Sequence, residues 1–228
     1  EEIIPDLEDT EPTTIIITPD NPAGAVAATA SVREEGLPAR GTEPPGSNSP
    51  ANSETTTGSI VFEAEDGLQS ITLNGVAITA VGQTFTTPRG VLTITSIAPG
   101  NYGYSYTLTD NTSGDNTSDD FAVVVTDVDD DVATATLSIR IVDDVPTARN
   151  DTDSIPAGTF GPATGNVITG VGTTNAPGSA DTVGADNATL TRIASNNVPA
   201  NIDTTFDGAG DLQVNGQYGV LSIKADGS

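Results

Sequence analysis

Between Ala133 and Ile141 the chain alternates without a fault: Ala133, Ala135, Leu137, Ile139 and Ile141 share one parity, and Thr134, Thr136, Ser138 and Arg140 the other. Successive side chains of an extended chain point to opposite faces, so this run is a strand of a sheet with one buried and one wet face. The same pattern recurs, less completely, at Ile60-Phe62-Ala64, at Val91 to Ile97, at Tyr102 to Leu108 and at Phe121 to Val125. Ile71 and Leu73 lead through Asn74-Gly75 into Val76, Ile78 and Ala80. Asn-Gly between two alternating segments predicts a tight hairpin, because both turn residues need positive φ. No segment holds a helical period. About seven short strands over roughly 120 residues predict an all-β chain, an Ig-like β-sandwich.

Composition limits how large that core can be. Leu, Ile, Val and Phe number 51 of 228 residues, just above the level at which an acidic chain stays unfolded. The 24 Gly and 15 Pro supply turns between many short elements. No run of 18 apolar residues occurs, so no membrane-spanning helix is expected. The first residue is not Met and no basic-then-apolar leader opens the chain, which reads as an interior piece of something longer.

The absence of Cys and His removes whole classes of chemistry: thiol nucleophiles, Ser-His-Asp triads, the usual zinc and haem sites, and disulfides. Paired carboxylates for glycoside hydrolysis have no accompanying aromatic cleft, so no enzyme activity is expected. Seven Lys and Arg against 32 Asp and Glu leave a formal charge of -25, which repels nucleic acid and anionic membranes alike. Hard cations are the natural counter-charge.

Three segments are expected. Residues 1–23 read as an acidic Pro/Thr-rich linker with room for one short strand at the apolar burst Ile15-Ile16-Ile17; 24–145 as an Ig-like repeat, interrupted by a polar loop from Pro38 to Ser53; and 146–228 as a second, incomplete repeat. The boundary is the polar joint after Val142. An internal repeat supports the division, since Gly90-Val91-Leu92-Thr93-Ile94 returns 129 positions later as Gly219-Val220-Leu221-Ser222-Ile223. In the first copy this strand is followed by another from Tyr102 to Leu108. The second copy has no counterpart to it in the chain, which predicts an unpaired sheet edge, poor order or completion by another chain.

The carboxylates are clustered. They gather at Asp127, Asp129, Asp130 and Asp131, at Asp143 and Asp144, around Asn150, Asp151 and Asp153, and in the pairs Glu34-Glu35 and Glu65-Asp66. Two carboxylates about 4 Å apart repel by about 4 kcal/mol at an effective dielectric of 20, and a bound dication reverses that sign. Calcium takes six to eight oxygens and suits clustered Asp, Asn and backbone carbonyls on turns; magnesium, with its tight octahedral shell, suits them less. The strand from Ala133 to Ile141 holds the first two clusters about 33 Å apart, so they cannot share an ion. With the first strand placed at Ala27 to Val32 and the next antiparallel to it, Glu34 and Glu35 fall at the pole of Asp143 and Asp144. Glu65 and Asp66 then fall with Asp127 to Asp131. Each pole has its own oxygen set, and each is where a neighbouring module would attach. Tyr102, Tyr104 and Tyr106 line one face of a strand, where they serve either as core or as a platform for a glycan or protein.

Taken together, the joint Asp143-Asp144-Val145-Pro146-Thr147-Ala148-Arg149-Asn150-Asp151, the phrase Thr126-Asp127-Val128-Asp129-Asp130-Asp131-Val132 and the closing Gly216-Gln217-Tyr218-Gly219-Val220-Leu221-Ser222-Ile223 resemble the tandem Ig-like and cadherin-like repeats, VCBS-type included, of giant bacterial RTX adhesins exported by type I secretion. The resemblance covers roughly residues 24–228. It implies a secreted, extracellular extender repeat on the bacterial cell surface, serving cell adhesion and biofilm formation and stiffened by calcium at its linkers. By that likeness Asp143, Asp144, Asn150, Asp151 and Asp153 are linker ligands and Asp127, Asp129 and Asp131 pole ligands. The partners it implies are neighbouring repeats of the same chain. Two alternatives stand beside it: a glycan- or protein-binding module, and a laterally self-associating subunit of a surface layer or filament. The departure is Asp129-Asp130-Asp131, where such repeats often carry Asp-Gly-Asp.

Overall fold

The computed structural model describes residues 13–19, 29–64, 67–114, 116–198 and 200–228. It is almost wholly β and divides into two units, 1–40 with 48–144, and 41–47 with 145–228.

Among the described residues ten strands build the first unit: β1 (Thr13–Pro19), β2 (Thr29–Arg33), β3 (Thr55–Glu63), β4 (Leu68–Leu73), β5 (Val76–Ala77), β6 (Thr84–Thr86), β7 (Gly90–Ala98), β8 (Asn101–Leu108), β9 (Thr117–Asp127) and β10 (Val132–Val142). They form two five-stranded sheets, ordered β1-β3-β8-β7-β6 and β2-β10-β9-β4-β5. Ladders are antiparallel except that β2 runs parallel to β10, with Val142 opposite Arg33. The expected alternation of β10 is observed: Leu137, Ile139 and Ile141 are buried and Arg140 is exposed. Each such side chain removed from water contributes about 1.5–3 kcal/mol. The inner faces meet as a sandwich, with Tyr106 of β8 edge-on to Phe121 of β9 across the two sheets at a centroid distance of 6.2 Å.

Asn74 and Gly75 adopt φ of 49° and 77°, the paired positive values that the β4–β5 hairpin requires. Asn74 also ties the turn to its neighbour, since its Oδ1 accepts the Ala122 N–H at 2.8 Å. The strand count exceeds the expected seven chiefly through β1 and through β6, an edge fragment of three residues too short to show a period, while β5 is the expected strand after Asn74-Gly75 cut to two residues. Residues 13–19 extend the picture of a linker, because β1 pairs with β3 and is a strand of the first sheet. Ala27, expected to open the following strand, lies outside the described residues.

The second unit holds two short antiparallel ladders, β11 (Ile193–Ala194) with β12 (Ile202–Asp203), and β13 (Asp211–Asn215) with β14 (Val220–Lys224). Its core cluster is Ile193, Leu212, Val214 and Ile223, with Leu190 packed against it. Most of 145–192 is irregular chain held by side-chain-to-backbone hydrogen bonds.

Candidate metal centres

The inward parity of β9 runs Asp119, Phe121, Val123, Val125, Asp127, all buried. The two ends of one apolar stripe are therefore carboxylates, and their surroundings differ.

Asp119 is met by protein donors. Its Oδ2 accepts the Tyr106 hydroxyl at 2.6 Å and the Thr87 hydroxyl, and its Oδ1 faces the Arg89 guanidinium at 3.1 Å. Gly90 makes room for this arrangement, since a Cβ there would fall inside the Tyr106 phenol. Burial pushes the Tyr106 hydroxyl well above its ordinary value, and the hydrogen bond to Asp119 adds to the shift. Burial alone pushes Tyr104 up to about 12. All three tyrosines of the stripe are core, with Tyr102 packed edge-on against Phe62 at 5.3 Å. Sequence reasoning missed Asp119, although it shares the parity of Phe121, Val123 and Val125.

Asp127 is met by further carboxylates. The β9–β10 turn brings one oxygen each of Asp127, Asp129 and Asp131 within 4.8 Å of one another. The turn is shaped by Asp127 itself: its Oδ1 accepts the Asp131 N–H at 2.8 Å, its N–H donates to the Asp131 carbonyl at 3.1 Å, and Asp130 takes φ of 73°. Gln69 secures the outer side by donating to Asp130 Oδ1 at 2.8 Å. Asp127 is fully buried, Asp131 partly buried and Asp129 exposed, so the set grades from core to solvent. Asp131 Oδ2 is itself buried and accepts no hydrogen bond. At that spacing each carboxylate pair repels by about 3 kcal/mol at an effective dielectric of 20. Two oxygens at about 2.4 Å from one ion lie at most about 4.8 Å apart, so the residues present fit a calcium-sized cation. Glu65 and Asp66, expected at this pole, lie outside the described residues.

At the other pole, parallel pairing of β2 with β10 brings both strand exits together. Glu34 opens a single 3-10 turn, Glu34–Gly36, and is fully buried. Its Oε1 accepts the Thr112 N–H at 2.6 Å and hydroxyl at 2.9 Å, and its Oε2 faces the Asp144 N–H at 3.4 Å. An oxygen of Glu34 and one of Asp143 lie within 4.8 Å. Asp144 is buried beside them. Glu35 is half-buried, and its carbonyl accepts the Asn48 N–H at 2.8 Å.

The second unit uses its acids differently. Asp153 accepts backbone N–H groups from Ser154, Thr174 and Asn175 at 2.8–2.9 Å. These hold its carboxyl down at about 2, the Thr174 bond most strongly. Asp151 Oδ1 accepts the Ser179 N–H at 2.6 Å, and Asn150 is exposed. Asp203 and Asp207 are lowered by the same means, through Gln213 and Asp211 respectively. Here the carboxylates replace sheet ladders as the anchor of loop backbone.

A scan against protein-family models finds no match, and no curated protein matches the chain. No helix among the described residues is long and apolar enough to cross a membrane.

Proposed function

We propose that the chain is an extender segment of a bacterial cell-surface adhesin, built of tandem β-sandwich repeats and stiffened by calcium in the extracellular medium. The observation that carries this reading is the β9–β10 turn, where Asp127, Asp129 and Asp131 converge on one point at the pole of the sandwich. Asp127 and Asp131 would hold a cation from the core side and Asp129 from the solvent side. The ion supplies the positive charge that lets three carboxylates stay together. The Glu34 and Asp143 pair supports a second such point at the opposite pole. The burial of Tyr102, Tyr104 and Tyr106 favours this reading over one in which they bind a glycan, and leaves the 38–53 loop as the other element such a reading would use. The absence of Cys suits a chain that folds after export.

The test is calorimetric titration of the metal-stripped chain with calcium, followed by thermal unfolding. One site filled to 100 times its dissociation constant contributes about 2.7 kcal/mol. For a unit of this size that raises the midpoint by about 10 °C. Asp127→Ala/Asp131→Ala should abolish the rise. A flat titration with an unmoved midpoint would overturn the calcium mechanism.

A further inference from the structure

The first strand of the sandwich starts at one pole and the last strand ends at the other. β1 starts at Thr13, which stands opposite Glu63 at the end of β3. That end lies at the pole of the β9–β10 turn, because the Gly67 carbonyl just beyond it accepts the Val128 N–H at 3.0 Å. β10 ends at Val142, at the pole where Glu34 and Asp143 meet. A pull between the two strand ends therefore runs along the strands, drawing β1 and β2 towards one pole and β10 towards the other.

How a ladder answers such a pull depends on its direction. Hydrogen bonds loaded along the strands share the load and must break together, whereas bonds loaded across them from one end break one at a time. β2 and β10 run parallel, with register pairs from Thr29 opposite Ser138 to Arg33 opposite Val142. Among the described residues this is the ladder that joins the early strands of the unit directly to its last one. Its two strands are drawn in opposite directions along their own axes, so it is sheared. The β1–β3 and β9–β10 ladders each hold only one strand on the path of the pull.

Local contacts reinforce that ladder. Arg33 N–H turns away from β10 to the Ser53 carbonyl at 2.8 Å, so alternation aims the N–H groups of Ala30 and Val32 at β10. Ala30, Val32, Ile139 and Ile141 are buried, which keeps water from the inner face of the ladder. Glu34, the residue after β2, is fully buried and turns its Oε2 towards the Asp144 N–H just past β10, at 3.4 Å. One side chain thus spans the two strand ends at the pole where β10 is pulled.

We infer that the first unit is a force-bearing module and that the parallel β2–β10 ladder is its clamp, loaded in shear by tension along the chain. The inference rests on the extender reading for its use, since a string of repeats between a cell and its target carries tension. The clamp itself follows from strand order and direction and needs no calcium, so its failure and that of the calcium mechanism are read separately.

The test is single-molecule unfolding of the full chain at constant force in EDTA, with handles at its two ends. Release of residues 13–142 identifies the sandwich, since it lengthens the molecule by about 400 Å. A second pair of handles goes on Arg33→Cys and Val142→Cys, unique attachment points because the chain has no cysteine. These positions face each other in register, so that pull opens the ladder from its end, and the sandwich should unfold more than about tenfold faster at the same load. Under the end-to-end pull, Ala30→Pro, which removes an amide aimed at β10, should unfold about fivefold faster than Ser31→Pro, whose amide faces the other way. Urea unfolding checks that both variants fold. Equal rates in the two directions overturn the inference, as does an Ala30→Pro rate no greater than that of Ser31→Pro. If Ala30→Pro does not fold, the comparison of directions decides alone. Slow end-to-end unfolding together with a flat calcium titration would keep the clamp and overturn only the calcium mechanism.

Discussion

Asp119 and Asp127 occupy equivalent phases of one strand and end in opposite situations. Asp119 has a guanidinium and two hydroxyls around it, so its charge is matched within the protein. Asp119→Ala should cost about 3 kcal/mol in urea unfolding, because it leaves the Tyr106 hydroxyl buried beside an unmatched Arg89. Asp127 instead draws two more acids to the turn, which is why it is the residue to test for a cation. The tyrosines carry a second consequence. Their folded pKa values lie above the ordinary 10, so the folded state keeps protons that the unfolded state releases. Stability should be intact below pH 10 and fall as pH rises through about 12, with tyrosinate absorbance of Tyr104 and Tyr106 appearing together with loss of the fold. Tyrosinate formation without unfolding would refute their place in the core.

At the scale of elements, the alternating strands were the legible part. β7, β8, β9 and β10 contain the runs expected for them, because burial of one face forces a two-residue period into the sequence. The parallel pairing of β2 with β10 was not legible, since local periodicity says nothing of which edge a strand joins. Neither was the work done by acids in the second unit, where Asp153, Asp203, Asp207 and Asp226 anchor loops through N–H and hydroxyl donors. Those bonds lower each carboxyl below the ordinary 3.8, so their stabilisation is present above pH 4 and is lost as pH falls through about 2 for Asp153. The protection of the Thr174 and Asn175 amides, measured as exchange relative to the intrinsic rate at each pH, should accordingly fall on acidification from pH 4 to 2. In Asp153→Asn that protection should already be lost at pH 5, with little further change.

For the whole molecule, two units with separate cores should unfold in two thermal transitions, resolved by calorimetry, and calcium at the β9–β10 turn should raise the one belonging to the sandwich. A single transition that calcium does not move would contradict both statements. The amino-acid sequence by itself determined the β class, the Asn74-Gly75 turn, the repeat and the grouping of acids, because side-chain alternation, positive φ and like-charge crowding are local properties written in neighbouring residues. It left open whether the tyrosine stripe was core or platform, which acids Arg89 and the hydroxyls would neutralise, and which would face one another at a pole. Those outcomes depend on which strands become neighbours, and only the packing of two sheets brings residues as distant as Arg89 and Asp119, or Glu34 and Asp143, within reach of each other's charge.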